Sequence, residues 1–322
     1  MPADASAAIP VTLVTGFLGA GKTTLLNRLL ADPATPPTAV IVNEFGALGI
    51  DGRLVVGASD EVIELRNGCI CCEVREDLRR TVLDLLQKRT RWLRPLRFDR
   101  LVVETSGLAA PGPLVQTFLL DPALAAATHV DGVVALAHAG LVVRQLATHP
   151  EVPAQLACAD RILLNHLDHA DDVDAAEAAV RAVAPLAEVL RCVRADVPVA
   201  PLLRIGGADP RRWVLPPVVT HSAGVVTASF RGGAIELSRL KMYLQFVASR
   251  RGWEVLRLKG IFRCPGIATA VVAQGVHQWL ELGPGELPPP AESALVVIGR
   301  GMDVEELRRG WEVIAASPVG TR

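Results

Sequence analysis

Short, nearly continuous apolar runs alternate with amphipathic stretches over the first two-thirds of the chain. The runs are "VTLVT" (11–15), "TAVIVNEF" (38–45), "LVVET" (101–105), "GVVALAH" (132–138) and "RILLN" (161–165). A strand with one wet face alternates apolar and polar residues, so these runs predict strands buried on both faces of a largely parallel sheet. In "REDLRRTVLDLLQKR" (75–89), Leu78, Val82, Leu85 and Leu86 recur at helical spacing and predict a helix with one buried face. Strands alternating with helices define the α/β class.

The pattern changes near residue 196. "DVPVAPLLRIGGADPRRWVLPPVVTHSAG" is rich in Pro and Gly, has little periodicity, and reads as a linker. Its His221 reads as an ordinary surface residue, since an isolated histidine is weak evidence of a ligand. Beyond it come a strand ("VVTASFR"), a helix with Leu237, Leu240, Leu244 and Val247 on one face, and the strand segments "EVLRLKGIFRC", "TAVVAQGVHQWLEL" and "SALVVIG". A last helix opens in "DVEELRRGWEVI", with Asp303 as N-cap and Glu306 in capping-box position. Such a sheet with two helices on one face is a small α+β domain.

Composition narrows the setting. Lys and Arg number 33 against 34 Asp and Glu, a net charge of −1, which gives no basic footprint for nucleic acid or an anionic membrane. No apolar run reaches the length of a membrane span. "MPADASAAIP" has neither the basic residues nor the apolar core of a secretion signal, so residues 1–10 are expected to form a flexible tail on a cytoplasmic protein. In a reducing cytoplasm, clustered cysteines point to metal ligation or redox chemistry ahead of structural disulfides.

Three segments carry phosphate and base chemistry. "GFLGAGKTT" (16–24) fits G-x-x-x-x-G-K-[ST] through Gly16, Gly21, Lys22 and Thr23, between a strand and a helix, the context that the motif requires. Gly16, Gly19, Ala20 and Gly21 let backbone N–H groups approach phosphate oxygens, and the helix N-terminus adds its dipole. Lys22 neutralises phosphate charge, Thr23 supplies a hydroxyl for Mg²⁺, and Thr24 lies in the same first turn. In "LVVETSGLA", Glu104 ends a buried strand as a second Mg²⁺ ligand, with the N–H of Gly107 facing the terminal phosphate. In "LLNHLD", Asn165 and Asp168 stand at N-x-x-D spacing. A carboxylate accepts from both the N1–H and N2–H₂ of guanine, and adenine presents no such pair of donors. Lys22, Thr23 and Glu104 are the expected catalytic residues of a nucleotide hydrolase.

Together, "TGFLGAGKTTLLNRLL", "IVNEFGALGID", "NGCICCEVREDL", "ETSGLA", the N-x-x-D element, "LRLKGIF", "VVAQGVHQWLEL" and "SALVVIGRGMDVEEL" resemble the CobW-type metallochaperone GTPases, relatives of HypB and UreG. The resemblance covers nearly the whole chain. It implies a P-loop NTPase domain with a mostly parallel sheet over 11–196, a linker over 197–222 and a smaller C-terminal α+β domain over 223–316. It also implies GTP and Mg²⁺ as cofactors, and delivery of Zn²⁺ or Co²⁺ to a metalloprotein client, with a homodimer as a further expectation. The chain differs from the common family pattern at Ala47, where a second Glu usually follows "NEFG", and at 136–138, where "LAH" replaces "VDA". His166 occupies the position of the usual G-protein Lys, and no histidine-rich run is present among the seven histidines.

Cys69, Cys71 and Cys72 in "GCICCEV" lie between the phosphate loop and Glu104, the interval where NTPases of this kind respond to nucleotide state. Four readings are open for them: buried small apolar residues, a redox pair, a structural zinc staple, or an exchangeable metal site. Three thiolates leave a fourth position for water, Glu44, a histidine or a client thiol, and an open position suits delivery. Glu44 is equally a switch-loop cap. Cys264 reads as core packing. The function alternatives are a nucleotide-gated adaptor with a structural zinc and another P-loop phosphotransferase.

The base reading generates one expectation directly. Asp168→Asn should move preference from guanosine toward xanthosine nucleotides, because the amide offers a donor where the carboxylate accepts. Nucleotide titrations check it, and equal affinity of the native chain for ATP and GTP would remove guanine recognition altogether.

Overall fold

The computed structural model describes residues 8–42, 55–56, 72–90, 96–203, 205, 219–220, 224–252 and 254–316. Two compact units form: Met1–Val180 with Ala187–Ala208, and Arg181–Leu186 with Asp209–Arg322.

The first unit holds a seven-stranded sheet. Its strands are β1 (Ile9–Gly16), β2 (Thr38–Val42), β3 (Val55–Val56), β4 (Arg100–Glu104), β5 (Thr128–His138), β6 (Arg161–Asn165) and β7 (Glu188–Arg191), in the order β3-β2-β4-β1-β5-β6-β7. All pairs are parallel except the short edge strand β3, which runs antiparallel to β2. Helices α1 (Lys22–Ala31), α2 (Cys72–Arg89), α3 (Gly112–Leu120), α4 (Pro122–Ala127), α5 (Val142–Thr148), α6 (Glu151–Ala157) and α7 (Val173–Val183) complete it. The apolar runs are buried as expected: β2 and β4 expose almost nothing, and Leu25, Leu26 and Leu29 of α1 join Val14, Val40, Val102 and Leu163 in one core. Leu78, Val82 and Leu85 form the buried face of α2.

Several boundaries differ from expectation. β1 begins at Ile9, which is buried, so the strand takes up the last two residues of the expected tail. β7 was not foreseen, because "EVLR" is short and only half-buried. The first part of the expected linker is core: a 3₁₀ turn at Ala200–Leu202 carries Val199, Leu202, Leu203 and Ile205 inward. Proline sets the turn there, while the apolar residues between the prolines supply the packing.

The second unit is an antiparallel sheet in the order β12-β11-β10-β13-β9-β8. Its strands are β8 (Val219–Thr220), β9 (Val225–Gly232), β10 (Val255–Phe262), β11 (Val271–Val276), β12 (Trp279–Pro284) and β13 (Ser293–Arg300). "TAVVAQGVHQWLEL" is a hairpin, with Val276 opposite Trp279 and His277 at φ 52°, a left-handed conformation that tight hairpin turns demand. Helices α8 (Leu237–Arg251) and α9 (Val304–Ala315) bury Leu240, Leu244, Val247, Leu307, Trp311 and Ile314 in one core with Ala228, Phe230, Leu295 and Val297 of the sheet. Burying each large apolar side chain contributes about 1.5–3 kcal/mol. Cys264 packs in this core, and burial pushes its thiol above its ordinary pKa. No described helix is long and apolar enough to cross a membrane.

The Asp303 carboxylate accepts from the Glu306 N–H at 3.0 Å and caps α9. Asp303→Ala should therefore cost about 1 kcal/mol and Asp303→Asn far less. Hydrogen exchange of the α9 amides measures it, and equal protection in the two variants would show that the cap contributes nothing.

Candidate functional site

The parallel strands β1, β4, β5 and β6 deliver the expected nucleotide residues to one edge of the first sheet. Glu104 pairs in register with Val14, His138 with Asn165, and Gly16 with Leu136. Ligands of open α/β sheets bind at the carboxyl ends of such strands.

The phosphate loop leaves β1 through three left-handed glycines, Gly16 (φ 138°), Gly19 (φ 76°) and Gly21 (φ 104°). A Cβ on Gly16 would lie 2.4 Å from the Leu136 carbonyl oxygen of β5, so only glycine lets the two backbones meet. The Ala20 N–H donates to the Phe17 carbonyl at 3.2 Å and closes the turn, with Gly21 as N-cap of α1. Lys22 is the first residue of α1 and is buried, with its Nζ donating to the Gly16 carbonyl at 2.9 Å and to that of Phe17 at 3.4 Å. The ammonium is thus held at the centre of the loop. Thr23 and Thr24 are exposed in the first turn, where a hydroxyl can reach a phosphate-bound cation.

Beside the loop, the buried Glu104 closes β4. The next residue is anchored twice: the Thr105 N–H donates to the Val14 carbonyl at 2.9 Å, and the Thr105 hydroxyl donates to the Thr15 Oγ1 at 2.8 Å. Gly107 packs so closely on the phosphate loop that a Cβ would lie 2.5 Å from the Leu18 side chain. One contributor escaped sequence reasoning. Gln155 of α6, almost fully buried, donates to the carbonyls of Gly107 at 3.0 Å and Ala109 at 3.1 Å. Its amide holds the backbone of the segment that follows Glu104. A glutamine in a helix 48 positions away carries no local motif that would have disclosed this.

Asn165 is fully buried, and its carboxamide joins neighbouring loops. The Asn165 Nδ2 donates to the Ala20 carbonyl at 3.0 Å, and Oδ1 accepts from the Ala195 N–H at 2.9 Å and the Cys192 thiol at 3.6 Å. Burial pushes the Cys192 thiol up to about 11, so it remains a neutral donor. The phosphate loop and the N-x-x-D loop are thereby joined by one side chain. Asp168 sits in the 3₁₀ turn Leu167–His169 that follows, about half exposed. Its exposed carboxylate suits contact with a base edge.

Glu44, Ala47, Cys69, Cys71 and His221 lie outside the described residues. Cys72 opens α2. That helix is tied down by Arg79, whose Nε donates to Asp121 at 2.6 Å; Asp121 in turn caps α4 through the N–H groups of Ala123 and Leu124.

Family models now decide the affiliation. Residues 10–191 match the CobW/HypB/UreG nucleotide-binding domain, and residues 226–315 match the cobalamin synthesis protein CobW C-terminal domain. The chain belongs to the CobW/HypB/UreG family. It is similar to the zinc chaperone YjiA of Escherichia coli, 32% identical over 94% of this chain and 98% of that one. The zinc chaperone CobW of Pseudomonas aeruginosa is also 32% identical, covering 94% of this chain and 90% of its own. The crystal structure of Zn(II)-bound YjiA GTPase superposes with a TM-score of 0.75 at 29% identity, covering 96% of this chain and 99% of that one. A Zn(II)-bound triple mutant of YjiA, with one glutamate and two cysteines changed to alanine, superposes with a TM-score of 0.74.

For this CobW-family chain, the bracing role of Asn165 predicts a phenotype distinct from that of Asp168. Asn165→Ala leaves buried backbone partners unsatisfied, at about 1–3 kcal/mol. Affinities for GTP and ATP should fall together, whereas Asp168 variants alter the ratio. Calorimetric titration with both nucleotides checks it, and a loss confined to GTP would make Asn165 a base reader.

Proposed function

We propose that this chain hydrolyses GTP and couples hydrolysis to delivery of zinc into a metalloprotein client. The observation that carries the GTPase part is the assembled phosphate loop, with Lys22 at its centre, Glu104 beside it and Asn165 locking it to the N-x-x-D loop. Phosphoryl transfer is mostly positioning and charge stabilisation, and that is what these residues offer. Backbone N–H groups from Gly19 to Thr23, at the N-terminus of α1, receive phosphate oxygens. Lys22 exchanges its carbonyl partners for phosphate. The Thr23 hydroxyl, in the first turn of α1, and the Glu104 carboxylate, at the end of β4, would supply hard oxygen donors that fit Mg²⁺, whose chemistry there is neutralisation of phosphate charge. Gln155 keeps Gly107 in place to contact the terminal phosphate. Among the described residues no side chain is placed as a general base, so intrinsic turnover is expected to be slow until a partner completes the site.

Zinc delivery rests on Cys69, Cys71 and Cys72, with Glu44 as a further candidate ligand. Cys72 is the first residue of an 18-residue helix of the nucleotide unit, and a helix N-terminus stabilises nearby thiolate. In sequence, the motif runs directly into this helix, whose buried face is Leu78, Val82 and Leu85. Zinc chaperones among the relatives, and zinc in the YjiA crystals, favour Zn²⁺ over Co²⁺ as cargo. A cytoplasmic setting fits, because it keeps the thiols reduced.

The test is a competition titration against a chromophoric chelator, with the chain free, with GDP and with a GTP analogue, on native protein and on Cys71→Ser. Since the YjiA triple mutant still carries zinc, the readout must be specific to thiolates. Co²⁺ serves as probe, through its sulfur-to-metal charge-transfer absorption. Coupling of about 1–3 kcal/mol would change metal affinity 5- to 150-fold between nucleotides, with an equal reciprocal effect on nucleotide affinity. Thiolate absorption indifferent to nucleotide would reduce the cluster to a staple. Its persistence in Cys71→Ser would remove that residue from the site.

A further inference from the structure

Three histidines converge beside the N-x-x-D loop. His138 ends β5, His166 follows β6, and His169 closes the 3₁₀ turn. The parallel pairing of β5 with β6 sets His138 opposite Asn165, and the Ala139 N–H donates to the Asn165 carbonyl at 2.8 Å, locking the two strand ends. His166 takes a left-handed backbone (φ 59°), which turns the chain sharply enough to bring its ring over that of His138, with centroids 4.4 Å apart. Gly140 lets the backbone of His169 approach: a Cβ there would lie 2.2 Å from the His169 carbonyl oxygen. One nitrogen from each imidazole lies within 4.8 Å of the others.

Packing alone does not account for these rings. The His138 Nδ1 and His166 Nε2 atoms are shielded from solvent and have no hydrogen-bond partner among the described residues, an arrangement that costs about 1–3 kcal/mol for each polar group left unsatisfied. Among the described residues, Asp168 lies 3.6 Å from His169 Nε2, an ion pair only when that imidazole is protonated, and no ion pair reaches His138 or His166. Burial, followed by the neighbouring imidazoles, holds His138 below its ordinary pKa, so it is neutral, as a metal ligand must be.

We propose that His138, His166 and His169 form a three-imidazole site for a divalent transition-metal ion, with Zn²⁺ as the best match. Imidazole suits zinc, copper and nickel, and three nitrogen ligands leave a fourth position for water or another donor. Tetrahedral zinc with bonds of about 2.0–2.1 Å sets its nitrogens about 3.3 Å apart. Drawing the rings together by roughly 1.5 Å completes the site. His169, with 59% of its side chain exposed, has room to make that movement. Asp168 stands beside His169, where an outer carboxylate orients a ligating imidazole. Two of the three ligands lie at departures from the common family pattern: His138 in "LAH" and His166 in the position of the usual Lys. The proposed ligands are none of the residues of the cysteine motif.

The test removes the thiols first. A full-length Cys69→Ser/Cys71→Ser/Cys72→Ser variant is titrated with Co²⁺ alone and then with Zn²⁺ alone. One equivalent of Co²⁺ should bind, with ligand-field bands and no thiolate charge-transfer absorption, and Zn²⁺ should displace it. In the same background, His138→Phe and, separately, His169→Gln should each weaken Zn²⁺ binding by more than about 10-fold, a loss that removal of an outer-shell partner alone can cause. His169 is exposed, so its variant reports on metal without disturbing the fold. Failure of the triple-serine chain to bind Co²⁺, or unchanged affinity in His169→Gln, would overturn the proposal. Because the thiols of Cys69, Cys71 and Cys72 are absent throughout, neither outcome bears on the zinc-delivery reading.

Discussion

Backbone hydrogen bonds between β1 and its parallel neighbours β4 and β5 set the frame for the described candidate side chains of the first unit. They align Val14 with Glu104 and Gly16 with Leu136, and the β5–β6 pair aligns His138 with Asn165. A slip of one residue would turn Glu104 to the opposite face of the sheet, because side chains alternate along a strand. The buried apolar faces forbid that slip: Val102 and Val103 are fully enclosed, and moving either out of register would bring Glu104 into hydrocarbon. Hydrophobic burial thus fixes the register, and the register fixes the chemistry at the strand ends.

The second layer of control is polar and sparse. Thr105 to Thr15, Gln155 to Gly107, and Asn165 to Ala20 are each a short bond between segments far apart in sequence. They join the loops that leave β1, β4 and β6 into one frame. Loops are the most mobile parts of most folds, and catalysis needs them placed to within a fraction of an ångström. Buried side-chain amides meet that need because a broken bond there leaves a donor in a dry interior.

Much of the first unit was legible because its signals are local. Five strands were readable as apolar runs, and glycine spacing with Lys22 disclosed the phosphate loop. The capping of α9 by Asp303 was readable as well. What was hidden depends on contacts distant in sequence. Lys22 looks like an exposed loop residue, yet it is buried because the loop folds over its stem. β7 contributes only Val189 and Leu190 as apolar residues, too few to stand out. The turn at His277 lacks the Gly or Asn that usually marks a two-residue hairpin. The grouping of His138, His166 and His169 exists only once β5 and β6 are paired.

Gly21 and Asn165 occupy what is in effect a single volume. A Cβ on Gly21 would fall 2.4 Å from the Asn165 amide nitrogen, and that amide already holds the loop from below. Neither position can drift alone. Bulk at 21 requires a smaller residue at 165, and a smaller residue there surrenders the bond that keeps the loop closed. The two positions therefore form a locked pair during sequence divergence, and a lineage that escapes the lock must rebuild the junction between the phosphate and base loops in one step.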